Sequence, residues 1–318
     1  MKGVKVMNDL TLIITENRIT SISMSELYDK FVIYLEVSEA SVRTYTFGVR
    51  KFLQYLNQNS ILMPTRETVI TYRKELEKNC KPATVSLYLS SIRKFFSWCE
   101  LSGLYPNITN NVKSPKQDTG HKRDALSGEQ IKKVLNSFIR DSIESKRNYA
   151  IFLLMACCGL RTIEVSRANI EDIRVIYGET VLFIQGKGKT SKADFVKLPE
   201  IVHNAINNYL SVRGEYENNE PLFSSLSNRN MGGRLSTRSI SGICKNSMIN
   251  AGYNSIRLTA HSLRHSAITI ALLNGAGLQE VQTFARHSSL NTTMIYSHAV
   301  DKLKSHCENT IAGAIFAA

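Results

Sequence analysis

Hydrophobic residues in the first third of the chain recur at the spacing of helices. Val42, Tyr45, Val49, Phe52 and Leu56 fall three or four positions apart, while the basic residues of this stretch lie off the stripe. A second stripe runs from residue 85 to residue 99 behind a proline, which suits a first helical turn because its missing N–H would have no partner there. With shorter helices around residues 27–35 and 69–76, the pattern predicts a small helical bundle over residues 25–103.

The pattern changes after residue 103. Residues 104–125 carry prolines, asparagines and the basic run at residues 121–123, a composition typical of a linker. Ser127 then begins a helix, with Gln130 at the spacing of a capping box. Further on, apolar alternation over residues 181–184 and 195–198 flanks a turn of glycines and lysines, which predicts a β-hairpin. The expected fold class is mainly α with a small antiparallel sheet, a helical domain preceding a mixed α/β domain.

Composition agrees with two folded domains and adds a charge. The chain has 318 residues, 43% of them hydrophobic, which is enough for a sizeable core. Its 40 Lys and Arg against 27 Asp and Glu leave a net charge of +13, which favours a polyanionic partner, although charge alone does not separate nucleic-acid binding from ordinary basicity.

The cysteines and the hydropathy profile indicate the compartment. The six cysteines show no C-x-x-C pair, and we expect reduced, mostly buried thiols. No segment has the character of a signal peptide, and no apolar run reaches the roughly 18 residues of a membrane span. A cytoplasmic protein without membrane contact is expected.

Two segments of the second domain carry basic residues in unusual settings. An apolar run ends at Gly159 and delivers Arg161 at the start of a helix. The predicted hairpin turn carries Lys187, Lys189 and Lys192. This turn resembles a phosphate-binding loop, but Phe183 stands where that motif needs its first glycine, so the nucleotide-binding interpretation fails.

Two later segments add histidines and a tyrosine. His261 and His265 are four residues apart, but Ser262 replaces the glutamate of a zinc protease motif, so zinc is not expected. His261 and Arg264 share a helical face and suit a phosphate oxygen better than a cation. Tyr296, nine residues after His287, would by itself be a packing residue.

Taken in order, these segments resemble the signature of the tyrosine recombinases. The family has Arg, a hairpin Lys, H-x-x-R, then His or Trp followed by Tyr about nine residues later. The matching positions in this chain are Arg161, Lys187, His261, Arg264, His287 and Tyr296. The chain departs at Ile163, where serine is common, at Arg286, where glycine is common before the second histidine, and in its three candidate hairpin lysines.

The resemblance implies a domain plan and partners. It implies a short extension (1–24), a helical, SAM-like core-binding domain (25–103), a linker (104–125), a catalytic domain (126–307) and a tail (308–318). The expected substrate is double-stranded DNA, bound by dimers that pair into a tetramer, with no metal or other cofactor. The apolar tail either folds back or, as we expect, docks on the next protomer. Candidate DNA contacts are Arg43, Arg50, Arg93, Lys94, Lys189 and Lys192.

The chemistry of these residues fits strand cleavage without metal. Arg161 and Arg264 would neutralise the phosphate, and Tyr296, a phenol with a pKa of about 10, would form a phosphotyrosyl ester that conserves bond energy. By resemblance, this ester is on the 3′ phosphate. Lys187 would protonate the leaving 5′-oxygen, with Lys189 and Lys192 as alternatives.

The sequence leaves the roles of the histidines less sharply assigned than those of the arginines and the tyrosine. His261 would take the tyrosine proton or bridge to the phosphate, and His287 would hold a non-bridging oxygen. His265 is expected to be structural, and Glu164 to orient basic residues nearby.

Recombination is the expected function, with integration and excision of a mobile element as the expected role. Xer-like resolution of replicon dimers and relaxation of supercoils by a type IB topoisomerase-like activity are the alternatives. A DNA-binding regulator without catalysis would keep the charge and the bundle but would not need the ordered catalytic set.

Overall fold

The chain forms two compact units, Met1–Thr119 and Gly120–Ala318. We call them the N-terminal and C-terminal units and describe each by itself. The structure is a computed structural model that describes residues 24–116 and 124–316. The predicted N-terminal extension, apart from Met24, and the basic run His121-Lys122-Arg123 lie outside the described residues.

The N-terminal unit is a helical bundle, as the periodicity predicted. Pro82 stands in the first turn of its last helix, and the Ser38 hydroxyl accepts the backbone N–H of Ser41 to cap the second helix. The helices are α1 (Met24–Tyr34), α2 (Glu39–Gln58), α3 (Arg66–Asn79) and α4 (Pro82–Leu101).

Aromatic side chains fill the core of this bundle. Phe52 of α2 packs against Tyr72 and Phe96 with ring centroids 5.1 and 6.0 Å apart, and Phe31 of α1 meets Phe95 edge to face at 5.2 Å. These contacts join all four helices through the stripes seen in the sequence.

The C-terminal unit is mostly helical and contains a small antiparallel sheet, which confirms the expected fold class. The strands β1 (Ile173–Ile176), β2 (Glu179–Ile184) and β3 (Asp194–Lys197) follow a short 3₁₀ helix, η1 (Ile170–Asp172), and pair in the order β1-β2-β3. The helices are α5 (Gly128–Asn136), α6 (Ile143–Cys158), α7 (Thr162–Arg167), α8 (Glu200–Arg213), α9 (Thr237–Asn250), α10 (Ala260–Leu273), α11 (Leu278–Ala285), α12 (Leu290–Lys304) and α13 (Cys307–Phe316).

The sequence signals for local structure agree with these elements. Ser127 and Gln130 form the capping box at the start of α5. Strands β2 and β3 pair from Val181 with Lys197 to Ile184 with Asp194, so the loop between them is the expected hairpin turn. β1 was not predicted from the sequence, and none of its four residues is fully buried.

α6 is the central helix of the C-terminal unit. It is buried along most of its length and packs against α8, α9 and α10. A separate hydrophobic cluster joins α10, α11 and α12 and contains Ile268, Val281, Tyr296 and Val300. The second cluster places α12 against α10 and α11, while α10 also packs against α6.

The cysteines of the chain are unpaired, but not all of them are buried. Cys157 and Cys307 are exposed, so the expectation of mostly buried thiols is only partly met.

The C-terminal tail forms an exposed helix. All of α13 is exposed, with Phe316 at 81%, and Ala317 and Ala318 are outside the described residues. No helix within residues 24–116 and 124–316 is long and apolar enough to cross a membrane.

Candidate active site

Arg161 lies where the central helix α6 gives way to α7. The C-cap of α6 is Gly159, whose φ of 58° lies in the left-handed region, and a Cβ there would press on the Phe284 ring at 2.9 Å. Arg161 follows as the N-cap of α7, with its side chain 29% exposed. The turn therefore brings a guanidinium from the buried helix end to an accessible position.

Glu164 is a fully buried carboxylate between two arginines. Its Oε1 accepts from Arg161 Nη1 at 2.9 Å, and its Oε2 accepts from the Arg161 backbone N–H at 2.8 Å and from Arg286 Nη2 at 2.9 Å. Burial alone would raise the pKa of Glu164, but the charge of Arg286 and the bonds from Arg161 outweigh it and hold the pKa below its ordinary value. The carboxylate is thus ionised and holds Arg161 in place.

Arg264 lies beneath the same turn on α10, where it is 2% exposed. Its Nη1 donates to the Gly159 carbonyl at 2.6 Å and its Nη2 to the Ala285 carbonyl. These carbonyls belong to the C-terminal ends of α6 and α11, which lack partners within the helix. Burial first, then the charges of Arg161 and Arg286, lower the pKa of Arg264 to about 9, so it is a cation at neutral pH.

Tyr296 of α12 is buried beside two histidines. Its ring centroid lies 5.2 Å from that of His265 and 6.1 Å from that of His287. Burial raises the pKa of its phenol, while the positive charges of Arg264 and Arg161 act in the opposite direction. The phenol is therefore protonated at neutral pH and lies within the electrostatic influence of both arginines.

The three histidines take different positions around this tyrosine. His261, at the start of α10, is exposed and meets the His265 ring at 4.8 Å, so the two share a helical face as their spacing predicted. His287 is half-buried and its Nδ1 is 2.9 Å from Thr293 Oγ1. Burial, followed by the charges of Arg264, Arg161, Arg286 and His261, lowers the pKa of His287 to about 4, so it is neutral at physiological pH.

The hairpin lysines divide into two kinds. Lys187 and Lys189 are exposed in the loop between β2 and β3. Lys192, in contrast, forms an ion pair of 2.5 Å with Asp172, whose side chain is 2% exposed. No contact joins Lys187 to Tyr296 or to the arginine cluster among the residues that the structure describes, so the structure does not bring the proposed acid to the other candidates.

The loop itself is hydrogen-bonded to α7, the helix whose N-cap is Arg161. Arg167, at the end of α7, donates from Nη1 to the Gly186 carbonyl at 3.1 Å. Gln185 Nε2 donates to the Lys189 carbonyl at 2.8 Å within the loop. α7 is therefore preceded by Arg161 and ends at Arg167, which binds the hairpin loop.

The four candidate DNA contacts of the N-terminal unit differ in how they are held. Arg43 forms an exposed ion pair of 3.0 Å with Glu39, and Arg50 Nη2 donates to the Tyr28 hydroxyl at 3.1 Å. The Lys94 ammonium lies over the Tyr34 ring at 5.0 Å.

Arg93 differs from the other three. Its Nη2 donates to the Val112 carbonyl at 2.6 Å and to Ser114 Oγ at 3.1 Å, so it fastens the segment that follows α4.

Two residues that bind the candidates were not selected from the sequence. Arg286 was noted only as a departure from the family pattern, yet its Nη2 reaches Glu164, 122 positions earlier in the chain. Asp172 was not noted at all. No local sequence signal could have found these partners, because each is contributed by a distant segment.

The arrangement suits chemistry on an anion. The guanidiniums of Arg161 and Arg286 bind the Glu164 carboxylate, and that of Arg264 is close enough to interact with its charge. The cluster therefore has an excess of positive charge beside a phenol and a neutral imidazole. In general, guanidinium groups stabilise a phosphate on which negative charge increases during attack by an oxygen nucleophile. Within the described residues, no three His, Cys, Asp or Glu side chains are grouped as metal ligands.

Comparison with known families gives matches over most of the chain. A model described as the phage integrase family matches residues 124–302. A model described as the phage integrase N-terminal SAM-like domain matches residues 27–103.

Individual relatives give the same result. A tyrosine recombinase of Synechocystis is 34% identical over 230 residues, covering 72% of each chain. The tyrosine recombinase XerC of Haemophilus influenzae (strain PittEE) is 29% identical over 282 residues, covering 87% of this chain and 92% of its own.

Solved structures show the same fold. The XerH site-specific recombinase bound to a palindromic difH substrate has a TM-score of 0.71 at 22% identity, covering 87% of this chain and 82% of its own. A lambda integrase tetramer bound to a Holliday junction has a TM-score of 0.62 at 14% identity, covering 84% and 77%.

Proposed function

The chain belongs to the phage integrase family of tyrosine recombinases, and from this membership we propose how its residues cut and rejoin DNA. Enzymes of this family cleave and rejoin DNA at specific sites. The observation that carries the mechanism is the packing of the Tyr296 ring against His265 and His287 within the electrostatic influence of Arg161 and Arg264. We assign Tyr296 as the nucleophile.

The arginines neutralise the scissile phosphate in this mechanism. A phosphodiester repels nucleophiles, and its non-bridging oxygens gain charge in the transition state. Arg161 is partly exposed and already oriented by Glu164, so it is placed to donate to such an oxygen. Arg264 contributes its charge from beneath the turn. These guanidiniums supply the electrostatic stabilisation, and we expect the reaction to need no metal.

Cleavage then requires two proton transfers. Tyr296 Oη attacks phosphorus and its proton passes to His261, while the bond from phosphorus to the 5′-oxygen breaks and Lys187 donates a proton to that oxygen. The products are a 3′-phosphotyrosyl ester and a free 5′-hydroxyl, and rejoining reverses each step. His265 packs against the Tyr296 ring and supports it. If the Thr293 hydroxyl donates its hydrogen bond to Nδ1 of His287, the proton of the neutral imidazole is on Nε2, which can then donate to a non-bridging oxygen of the phosphate.

We assign the general acid to Lys187 in preference to Lys192. The ion pair with buried Asp172 commits the Lys192 ammonium to the body of the unit. Lys189 remains a candidate for phosphate contact, since its side chain is exposed in the same loop. Phosphate contacts from Arg43, Arg50 and Lys94 would add affinity without sequence preference.

Assembly on DNA is the proposed role of the C-terminal tail. α13 presents Ile311, Ile315 and Phe316 to solvent at 58, 66 and 81% exposure. An apolar helix of this kind gains stability when it is covered by another protein surface. We therefore propose that α13 docks on a neighbouring protomer, linking dimers and a tetramer on double-stranded DNA in the cytoplasm.

Integration and excision of a mobile element is the biological role that we propose. Xer-like dimer resolution is the alternative that the Xer relatives raise, and it is not favoured. A topoisomerase-like enzyme would act as a monomer, in which no neighbouring protomer covers the exposed apolar tail. Recombination between an attachment site adjoining the gene and a second target would support integration.

Trapping the covalent intermediate tests the mechanism. On a nicked DNA substrate whose cut strand loses its short 5′-hydroxyl fragment, wild-type protein should accumulate a protein–DNA adduct, with or without EDTA. Tyr296→Phe should bind the same DNA in a gel shift and form no adduct. Undiminished adduct from the Phe variant would refute Tyr296 as the nucleophile, and loss of the wild-type adduct in EDTA would refute metal-independent cleavage.

A further inference from the structure

Arg286 occupies a backbone position that normally favours glycine. It is the C-cap residue of α11, with φ 52° and ψ 47° in the left-handed region. A side chain with a Cβ is disfavoured there by about 1 kcal/mol. Tyrosine recombinases, as noted above, commonly have glycine here. The cost of placing arginine in this backbone conformation is offset if its side chain makes a favourable contact.

That contact is with the buried carboxylate of the site. Arg286 Nη2 donates to Glu164 Oε2 at 2.9 Å and to the Gly159 carbonyl at 3.2 Å, while Nη1 donates to the Phe284 carbonyl at 2.8 Å. Its side chain is 9% exposed, and its Nε is buried without a partner among the described residues. Both terminal nitrogens therefore donate to groups of the protein itself, and the guanidinium is largely closed to solvent.

We propose that Arg286 is a positioning residue that neutralises Glu164, so that the charge of Arg161 remains available for the scissile phosphate. The inference rests on the proposed function. Glu164 has two guanidinium partners, and only Arg161 is partly exposed. If Arg286 is removed, Arg161 is the one residue still seen to donate a hydrogen bond to this carboxylate among the described residues, and it must offset more of the negative charge. The electrostatic stabilisation that Arg161 gives to the transition state then weakens.

Arg286→Gly is the first variant, because glycine adopts the left-handed conformation without strain and the protein should fold. Arg286→Asn is a second, since asparagine also tolerates this conformation. The adduct-forming rate constant should fall about 10- to 10²-fold in both, less than the roughly 10²- to 10³-fold that follows loss of a donor in direct contact with the reacting group. Affinity for DNA should stay within about twofold, because the Arg286 side chain is largely buried and bonded within the protein.

A double variant separates charge compensation from simple packing. Replacing Glu164 with glutamine removes the charge that Arg286 would balance and leaves an oxygen that can accept from Arg161. The double variant E164Q/R286G should therefore form the adduct about tenfold faster than R286G alone, so the effects of the two substitutions should not add. Arg140→Gly, which removes a surface arginine lying over the Tyr149 ring at 4.7 Å, should cleave at the wild-type rate.

The possible outcomes are distinct. Equal rates for R286G, R286N and wild type would overturn the proposal. Slow R286G with no recovery in the double variant would also overturn it, because the defect would then come from the lost bonds to Gly159 and Phe284. Absence of a Tyr296 adduct from wild-type protein would instead refute the proposed function. A slow R286G, recovered by E164Q and unchanged in DNA affinity, supports charge compensation.

Discussion

Replacing Lys187 with alanine removes the ammonium that we place beside the departing 5′-oxygen. Loss of a general acid typically slows a reaction about 10²- to 10⁴-fold, and we expect adduct formation by Lys187→Ala to slow within this range. DNA affinity and thermal stability should hardly change, because the Lys187 side chain is exposed.

A modified substrate shows whether the lost step is protonation. Sulfur in place of the bridging 5′-oxygen makes a leaving group of much lower pKa, which departs without a proton. Lys187→Ala should recover most of its cleavage rate on this DNA. The readout is the ratio of single-turnover rates on the sulfur and oxygen substrates, compared with the same ratio for wild type.

Lys192→Ala should fail differently, and the structure gives the scale. The variant leaves Asp172 buried, with a backbone N–H from Asn169 at 2.6 Å still bonded to it. An incompletely satisfied buried carboxylate costs about 1–3 kcal/mol, which lowers the melting temperature by about 2–12 °C for a unit of this size. Differential scanning fluorimetry would measure this loss.

The two lysines therefore have opposite signatures. Lys192→Ala should lose stability and gain nothing from sulfur. Lys189→Ala should lose at most some affinity. Sulfur rescue of Lys189→Ala but not of Lys187→Ala would assign the acid to Lys189, and rescue of neither would make His261 the next candidate. A stable Lys192→Ala would refute the structural role assigned to its ion pair.

Three other predictions concern binding, assembly and pH. Binding should weaken steeply with salt, and neutralising one residue that contacts a phosphate should reduce the log–log slope by about 0.9 in fluorescence anisotropy. A flat salt response would mean that the net charge of +13 does not serve DNA binding, and an unchanged slope after neutralising Arg43, Arg50, Arg93 or Lys94 would count against a phosphate contact by that residue. Removing Ile311–Ala318 should spare binding of a single protomer but reduce tetramer formation in analytical ultracentrifugation and strand exchange in gel assays, and a wild-type rate of exchange would refute docking between protomers. The pKa of His287 is lowered from 6.5 to about 4 in the folded protein. The stability that the neutral imidazole contributes is therefore complete above about pH 6.5 and is lost as the pH falls towards 4, because the unfolded chain binds the proton first. Urea unfolding of His287→Asn should therefore show a smaller loss of stability over this interval than wild type, and parallel curves would contradict the lowered pKa.

The elements that could be predicted from the sequence are those whose signal is local. The stripe from Val42 to Leu56, Pro82 at a helix start and the capping box of Ser127 and Gln130 each depend on residues a few positions apart. The order of the catalytic candidates could also be read, since it is a property of the chain and not of its packing. Their assigned roles stay predictions.

Only the tertiary structure decided which of these residues meet. Residues far apart in sequence become neighbours when α6, α10, α11 and α12 bury their apolar faces against one another. That packing places Arg286 on Glu164. Elsewhere in the same unit, the tertiary structure pairs Lys192 of the hairpin loop with Asp172 of η1 and leaves α13 exposed. Periodicity could not reveal these outcomes, because it records which face of an element is buried and carries no information about the partner that covers it.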